Sequence, residues 1–230
     1  MPNSGRPRTG MEHGRIIILA DGDWSESDSL RELAESATFV IAADGGHSHA
    51  LERGWPVDEV VGDLDSVSPE LRQRLLTGDG PAVHSYPEDK DWTDLELAIE
   101  RALDRAPEEI VVLGALGQRI DHTLANLQLL ELGIGRGVPI VLATDSETVR
   151  LADGMLALAN ARIGDRVSLI PQTKSAVVST SGLKFALDHA TLQRAASRGI
   201  SNAVSATPVA IDVHEGQLFV IHTLKERGGG

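Results

Sequence analysis

The chain has 230 residues, of which 41% are hydrophobic, and none of its apolar runs is long enough to span a membrane. Its formal net charge of -13 excludes the basic surface that binds nucleic acid, because duplex binding depends mainly on Lys and Arg neutralising phosphates. Its lack of cysteine excludes disulfides, thiolate zinc sites and a cysteine nucleophile, and this composition favours the cytoplasm.

Both ends of the chain are polar. Residues 1–13 are rich in Gly, Pro and Arg and lack the apolar segment that a secretion signal requires, so we expect a disordered tail there. Residues 225–230 are expected to fray in the same way.

Between residues 15 and 143, short apolar runs that are typical of buried strands alternate with helical patterns. Thr93 and Glu96 stand at the spacing of a capping box and mark the start of one helix. This alternation predicts a parallel sheet with helices on both faces. The predicted strands are 16–20, 39–43, 60–61, 82–86, 110–113 and 139–143, and the predicted helices are 25–36, 49–54, 69–76, 93–103 and 122–130.

After Thr144 the pattern changes to short segments of alternating polarity, which are separated by Gly, Pro, Asp and Asn. Such a pattern predicts an antiparallel β-sandwich or barrel. The domain boundary is therefore expected near Asp145. The predicted strands of this second domain are 148–151, 155–158, 167–170, 176–180, 203–205, 209–213 and 218–222.

Asp63 and Asp65 follow the third predicted strand, one residue apart. Because alternate side chains of a strand point to the same face, both carboxylates can turn toward one cation. Hard oxygen ligands of this kind suit magnesium, which takes further ligands from water and substrate phosphates. The alternative is that they form only a polar turn that caps the next helix.

Other acidic stretches follow other strands of the same predicted sheet. Ligands of open parallel sheets bind outside the carboxyl ends of the strands, where these loops gather. Any one loop could serve only to cap a helix, but repeated carboxylates at one edge favour a cation that offsets their repulsion. The loops are 21–23, 44–46, 63–65 and 91–94, with 114–121 as a mixed one.

The glycines of these loops are compatible with phosphate binding, although glycines are also common in ordinary strand-to-helix turns. Gly45 and Gly46, like Gly114 and Gly117, allow backbone N–H groups at helix N-termini to approach phosphate oxygens closely. Lys90 and Arg119 add the positive charge that a transferred phosphoryl group needs, although each could be a surface residue. No Walker A motif and no zinc-spaced histidine pair are present, and His122 is notable only for its neighbour Asp121.

In chain order, four of these stretches form a set that resembles the thiamin pyrophosphokinase family. Residues 182–185 and 199–202 also look like the C-terminal domain of that family, so the resemblance extends from Ile16 to His222. The four stretches are Asp44-Gly45-Gly46, Gly62-Asp63-Leu64-Asp65-Ser66, Lys90-Asp91-x-Thr93-Asp94-x-Glu96 and Gly114-x-x-Gly117-x-Arg119-x-Asp121-His122.

The resemblance implies magnesium-dependent transfer of diphosphate from ATP to the hydroxyethyl group of thiamin, giving thiamin diphosphate and AMP. It implies an α/β fold, with a Rossmann-like catalytic domain at residues 14–145 that binds ATP and metal and a thiamin-binding β-sandwich at residues 146–224. It also implies a homodimer with the active site at the subunit interface.

Roles for individual residues follow from the same resemblance. The metal ligands would be Asp44, Asp63, Asp65, Asp91 and Asp94, and the catalytic residues would be Asp65, Lys90, Asp91, Asp94, Arg119 and Asp121. ATP would contact Asp44, Gly45, Gly46, Gly114, Gly117, Arg119 and His122, and thiamin would contact Ser201 and Asn202. The sequence departs from the family at Asp21, Phe185 and Ala203, which puts fine substrate contacts in doubt but not the reaction class.

Two alternative functions remain open. Residues 63–67 also fit the DxDx[TV] motif of haloacid-dehalogenase-like phosphatases, in which Asp63 would be the nucleophile. That motif should follow the first strand of the sheet, whereas two strand-helix units precede it here. The other alternative is a non-catalytic thiamin or nucleotide sensor, which would bind its ligand without turnover.

Overall fold

The computed structural model describes residues 14–22, 27–62, 72–73, 77, 80–86, 91–117 and 119–225. The chain divides into two compact units between Ile140 and Val141. In the described ranges, no helix has the length and apolar character that crossing a membrane requires.

The first unit contains a sheet in which five strands pair in parallel, in the order β5-β1-β2-β3-β4. In β1 the four residues after Arg15 are apolar and buried, and Ile17 and Ile18, whose side chains point to opposite faces, are both fully buried. The predicted parallel sheet is therefore confirmed. Its strands are β1 (Arg15–Leu19), β2 (Phe39–Ala43), β3 (Glu59–Gly62), β4 (Ala82–Ser85) and β5 (Glu109–Leu113).

Two helices of this unit begin at side-chain caps, of which the sequence predicted only the one at Thr93. The Thr93 hydroxyl accepts a hydrogen bond from the Glu96 backbone N–H at 3.2 Å, and Ser27 accepts one from Leu30 at 3.3 Å. The helix predicted at 122–130 is instead two helices that meet at Leu129, and the helix predicted at 69–76 falls largely outside the described residues. The helices are α1 (Asp28–Glu35), α2 (Gly46–Arg53), α3 (Asp94–Leu103), α4 (Ile120–Gln128) and α5 (Leu130–Arg136).

The second unit contains two antiparallel sheets, with strand orders β12-β9-β14-β7-β6 and β11-β10-β13-β8. One apolar cluster joins side chains of both sheets, including Leu169 and Leu218 from one and Val178 and Ile211 from the other. This is the core of the predicted β-sandwich. Its strands are β6 (Ile140–Ala143), which crosses the division between the units, β7 (Glu147–Ala152), β8 (Met155–Leu158), β9 (Arg166–Pro171), β10 (Ser175–Ser181), β11 (Ala190–Gln193), β12 (Asn202–Ala203), β13 (Val209–Glu215) and β14 (Leu218–Thr223).

Candidate active site at the carboxyl edge of the parallel sheet

Asp44 lies directly after β2, at the carboxyl edge of the sheet. Its backbone N–H donates to the carbonyl of Val61 on β3 at 2.8 Å, which holds the loop against the neighbouring strand. Asp44 has a φ of 46°, a left-handed conformation that is uncommon for residues other than glycine. Backbone outliers of this kind cluster at functional sites.

Gly62 ends β3 and marks the point where two carboxylate-bearing residues converge. A Cβ atom at Gly62 would lie 3.0 Å from Asp94 Oδ1 and 3.3 Å from Asp44 Cα, and its φ of 146° also disfavours a side chain. Asp94 is in the first turn of α3, which brings it from a separate part of the chain to this edge. The structure therefore places Asp44 and Asp94, two of the predicted metal ligands, on either side of Gly62, while their role as ligands stays a prediction.

The N-terminus of α2 packs tightly against the end of β1. A side chain at Gly46 would overlap the backbone carbonyl of Leu19, and one at Gly45 would overlap the carboxylate of Asp21. His49, one turn into α2, places Nε2 3.2 Å from the Asp21 carbonyl oxygen and 3.8 Å from its carboxylate. The close approach leaves the N-terminal backbone of α2 beside the acidic loop that follows β1.

An exposed ion pair lies where the segment after β5 enters α4, with Arg119 just before the helix and Asp121 in its first turn. Arg119 donates two hydrogen bonds to Asp121, from Nε to Oδ1 at 3.1 Å and from one terminal nitrogen to Oδ2 at 2.6 Å. The hydrogen bond from Arg119, followed by one from the His122 backbone N–H, lowers the pKa of Asp121. Asp121 is thus held as an anion that fixes the orientation of the Arg119 guanidinium.

This loop is tied to the rest of the edge by its backbone. The Gly22 N–H donates to the Gly114 carbonyl at 3.0 Å, which joins the loops that follow β1 and β5. Gly114 and Gly117 have φ values of 75° and 97°, which only glycine adopts readily. Asn126 of α4 donates to the Ala115 carbonyl at 2.8 Å and fixes the loop from its other side.

The described part of this edge is compatible with a divalent cation but does not complete a site. Asp44 and Asp94 supply carboxylate oxygens of the type that magnesium prefers, at the end of the strand that leads into Asp63 and Asp65. Asp91 is exposed close to the start of α3. Within the described residues, no group of three acidic, His or Cys side chains could hold a metal. The predicted residues Asp63, Asp65 and Lys90 lie outside the described ranges.

In the second unit, Asn202 is buried and all its side-chain contacts are internal. Its Oδ1 accepts from the Phe185 and Ala203 backbone N–H groups at 3.0 and 2.9 Å, and its Nδ2 donates to the Phe185 carbonyl at 2.8 Å. Ser201, which has a φ of 57°, is exposed, and its backbone N–H donates to Ser168 Oγ at 2.9 Å. Asn202 therefore fixes the segment that presents Phe185, while the Ser201 side chain faces outward.

Comparison with known proteins decides the family. Residues 30–142 match the model of the thiamin pyrophosphokinase catalytic domain, and residues 158–218 match the model of its vitamin B1 binding domain. Thiamine pyrophosphokinase 1 of Oryza sativa subsp. japonica is 30% identical over 206 residues, which cover 78% of this chain and 76% of the relative. The chain belongs to the thiamin pyrophosphokinase family.

A bacterial relative matches over more of the chain than this plant relative does. Thiamine pyrophosphokinase of Bacillus subtilis (strain 168) is 28% identical over 210 residues, or 90% of this chain and 98% of the relative. A crystal structure of thiamine pyrophosphokinase from Bacillus subtilis aligns with a TM-score of 0.82 at 27% identity, over 92% of this chain and 100% of that one. This match confirms the predicted fold.

Sequence reasoning missed two features of this thiamin pyrophosphokinase site. It assigned no role to His49, whose contact with Asp21 joins positions 28 residues apart that no local pattern connects. It also treated Asn202 only as a ligand contact, whereas its three hydrogen bonds are internal. Residues 199–202 were identified only by their resemblance to the C-terminal domain of the family, and no local pattern there identifies Phe185 as the partner of the amide.

Proposed function

We propose that this protein is a thiamin pyrophosphokinase that transfers diphosphate from ATP to the hydroxyethyl group of thiamin and releases AMP. The observation that carries this proposal is the match of a catalytic domain and a vitamin B1 binding domain of that family in one chain. The convergence of Asp44 and Asp94 on Gly62, at the edge where open parallel sheets bind ligands, supports it independently.

The reaction needs one bond to form and one to break at the β-phosphorus of ATP. The thiamin hydroxyl oxygen attacks that phosphorus, the bond to the oxygen bridging the α-phosphorus breaks, and its electron pair leaves with AMP. The hydroxyl proton passes to a base. Little covalent chemistry is left for the protein, so positioning and charge neutralisation supply most of the catalysis.

Magnesium is the proposed metal. Asp44 and Asp94, with Asp63, Asp65 and Asp91, would hold it, because carboxylates and phosphate oxygens are its usual ligands. When bound, it would neutralise charge on the phosphates of ATP.

The cationic and backbone donors take complementary roles. Arg119 offers a planar fork to phosphate oxygens, and Asp121 keeps that fork oriented when ATP is absent. Lys90 is proposed as a second cation. Gly45 and Gly46 would present backbone N–H groups at the start of α2. Gly114, Gly117 and His122 complete the proposed ATP contacts.

Thiamin is proposed to bind at the second unit through Ser201 and Asn202. Ser201 is exposed and can contact the ligand directly, whereas the internal hydrogen bonds of Asn202 support a role in fixing the shape of the Phe185 segment. The thiazolium cation of thiamin would be attracted by a protein with a net charge of -13.

A homodimer and a cytoplasmic location are the remaining parts of the proposal. Ile120 and Leu124 on α4 are 78% and 57% exposed, and apolar side chains left open on one helix face support a second subunit that covers them. The composition without cysteine supports the location.

The experiment that tests the function compares thiamin with an analogue in which the hydroxyethyl group is replaced by ethyl. Purified protein is incubated with ATP and magnesium, and the products are resolved by mass spectrometry. We expect AMP and thiamin diphosphate with thiamin and neither product with the analogue or with a chelator. AMP with free diphosphate from both compounds would indicate ATP hydrolysis and refute the proposal.

A further inference from the structure

Glu59, the first residue of β3, is a buried carboxylate far along the strand from the proposed catalytic edge. Its side chain is 2% exposed and accepts hydrogen bonds from Arg101 of α3 and, at 2.9 Å, from Arg105, which lies two residues beyond the end of that helix. Arg101 also lies 2.8 Å from His84 Nε2 on β4, and the Arg105 guanidinium stacks on the Phe39 ring at 3.8 Å. Glu59 is thus the centre of a polar network that joins β3, β4 and α3.

The charge of Glu59 is maintained in this environment. Burial alone would raise the pKa of its carboxyl, but the hydrogen bonds from Arg101 and Arg105 more than offset burial, and the pKa is lowered. A buried carboxylate that is ionised and held by two guanidinium groups has a well-defined geometry, because Arg offers its donors in a rigid planar arrangement.

α3 and β3 run in opposite directions and touch at both ends. At one end Asp94 lies against Gly62, the last residue of β3, and at the other Arg101 meets Glu59, the first. Seven residues of α-helix rise roughly 10 Å, and three steps of a strand also cover roughly 10 Å. The two contacts therefore match in spacing, and fixing one of them fixes the other.

Between these contacts, the buried residues of α3 are all apolar: Leu95, Ala98, Ile99, Ala102 and Leu103. Their packing holds the helix on the sheet but is non-directional, whereas hydrogen bonds between charged groups are directional. The network around Glu59 therefore adds a directional restraint on the register of α3 against β3.

We propose that Glu59 is a positioning residue that acts through Arg101 to hold the carboxylate of Asp94 at the catalytic edge. This inference rests on the proposed function, in which Asp94 is a ligand of the catalytic metal. In this proposal Glu59 acts through Arg101 and not by contact with substrate or metal.

The test is a double-mutant cycle of Glu59→Gln with Asp94→Asn, read by Mn²⁺ binding in electron paramagnetic resonance titrations of the full chain. Outer residues that orient metal ligands typically contribute tenfold to a hundredfold to affinity. We expect Glu59→Gln to weaken Mn²⁺ binding about tenfold when Asp94 is present and less than about twofold when Asp94 is already Asn.

Arg136→Met is the matched control, because Arg136 pairs with Glu100 and Asp104 on the same helix without joining α3 to β3. This control should leave Mn²⁺ binding unchanged. Thermal melts establish that each variant is folded. If the Glu59→Gln variant does not fold, Arg101→Lys is used in its place, and the same change in Mn²⁺ binding is expected. Arg101→Lys keeps a positive charge at position 101 and leaves the hydrogen bond from Arg105 to Glu59 intact.

The proposal would be overturned if Glu59→Gln weakened Mn²⁺ binding equally in the presence and in the absence of Asp94, or in neither background. It would also be overturned if Asp94→Asn left the affinity for Mn²⁺ unchanged. A loss in Arg136→Met as large as that in Glu59→Gln would also overturn it. The proposed function fails separately, if wild-type protein binds Mn²⁺ through Asp94 but forms no thiamin diphosphate.

Discussion

Asp94 combines a small structural role with a central proposed catalytic one. It is half-buried in the first turn of α3, where a carboxylate interacts favourably with the helix N-terminus by about 0.3–1 kcal/mol. Its carboxylate oxygen also lies against Gly62, at the edge proposed to bind magnesium. The two roles differ enough in size to be separated by one substitution.

Asp94→Asn should therefore lower kcat by roughly a hundredfold or more and reduce the free energy of unfolding by no more than about 1 kcal/mol. The measurements are steady-state kinetics and chemical denaturation. Asp104→Asn, at the exposed C-terminal end of α3, is the control and should change neither by much. A large loss of stability with proportionate loss of activity would mean that Asp94 serves only to cap the helix.

Arg119 gives a second prediction, since its only described role in the fold is a solvent-exposed pair. Arg119→Gln should lower kcat/KM about a hundredfold and leave the melting temperature unchanged, because exposed ion pairs contribute little to stability. Loss of the Arg119 hydrogen bond should also raise the pKa of Asp121 toward its ordinary value, which a carboxyl NMR titration can follow. Unchanged kinetics would remove Arg119 from the site.

How far single residues could be predicted depends on the range of their contacts. Asp44 and Asp94 were predicted as metal ligands because each follows a recognisable strand end or helix cap. The role of Glu59 was not predicted, because its partners lie 42 and 46 positions away and a glutamate at the start of an apolar strand has no local signature. The burial of a side chain and its hydrogen-bond partners are set by the folded chain, so they leave no pattern in a short stretch of sequence.

At the scale of elements, the catalytic edge depends on how closely α2 approaches β1. Gly46 begins α2, and its hydrogen in place of a side chain allows the helix backbone to contact the Leu19 carbonyl. Any side chain there would move the N-terminus of α2, which carries the N–H groups proposed to meet phosphate.

Gly46→Ala should therefore destabilise the protein by about 1–3 kcal/mol, the usual effect of overpacking. Gly135→Ala provides the contrast, because the same substitution in α5 meets no atom within 4 Å and should be neutral or stabilising. Urea unfolding of both variants checks this. Equal effects would show that the contact with Leu19 is not what constrains the position.

Most elements followed from periodicity and caps, and the exceptions have physical causes. The sequence predicted one helix where α4 and α5 form two, because the leucines continue in helical spacing through the junction at Leu129. It missed β11, in which only Leu192 is buried, so that no alternation is visible over its four residues. Edge elements with one buried side chain carry too little pattern to be detected.

At the scale of the whole molecule, each unit contains a buried carboxylate whose ionised form is held by hydrogen bonds. In the second unit this is Asp165, which accepts from His222 at 2.8 Å and from the backbone N–H groups of Arg162 and Lys225. Burial would raise the pKa of Asp165, but these hydrogen bonds outweigh it and the pKa is lowered. The pKa of Glu59 in the first unit is lowered in the same way.

A lowered pKa in the folded state means that the unfolded chain binds the proton more readily, so acid favours unfolding. The contribution of Asp165 is complete above its ordinary pKa of about 4 and is lost as the pH falls through the lower, folded value. The Asp165→Asn variant should thus have a lower free energy of unfolding than wild type at about pH 7, and this difference should become smaller toward about pH 3.

Urea midpoints measured across this pH range test the prediction. Asp188→Asn, which changes a carboxylate that is 96% exposed in the same unit, should track wild type throughout. A gap between Asp165→Asn and wild type that stays constant with pH would show that ionisation of Asp165 does not contribute.

The central claim is that the protein transfers diphosphate in a single step. The most direct measurement is ³¹P NMR of ATP, thiamin and magnesium with the wild-type protein, recorded from the first moments of the reaction. We predict that AMP and thiamin diphosphate appear together in equal amounts, with no earlier ADP or thiamin monophosphate. ADP and thiamin monophosphate as first products would contradict the account, because they require attack on the γ-phosphorus.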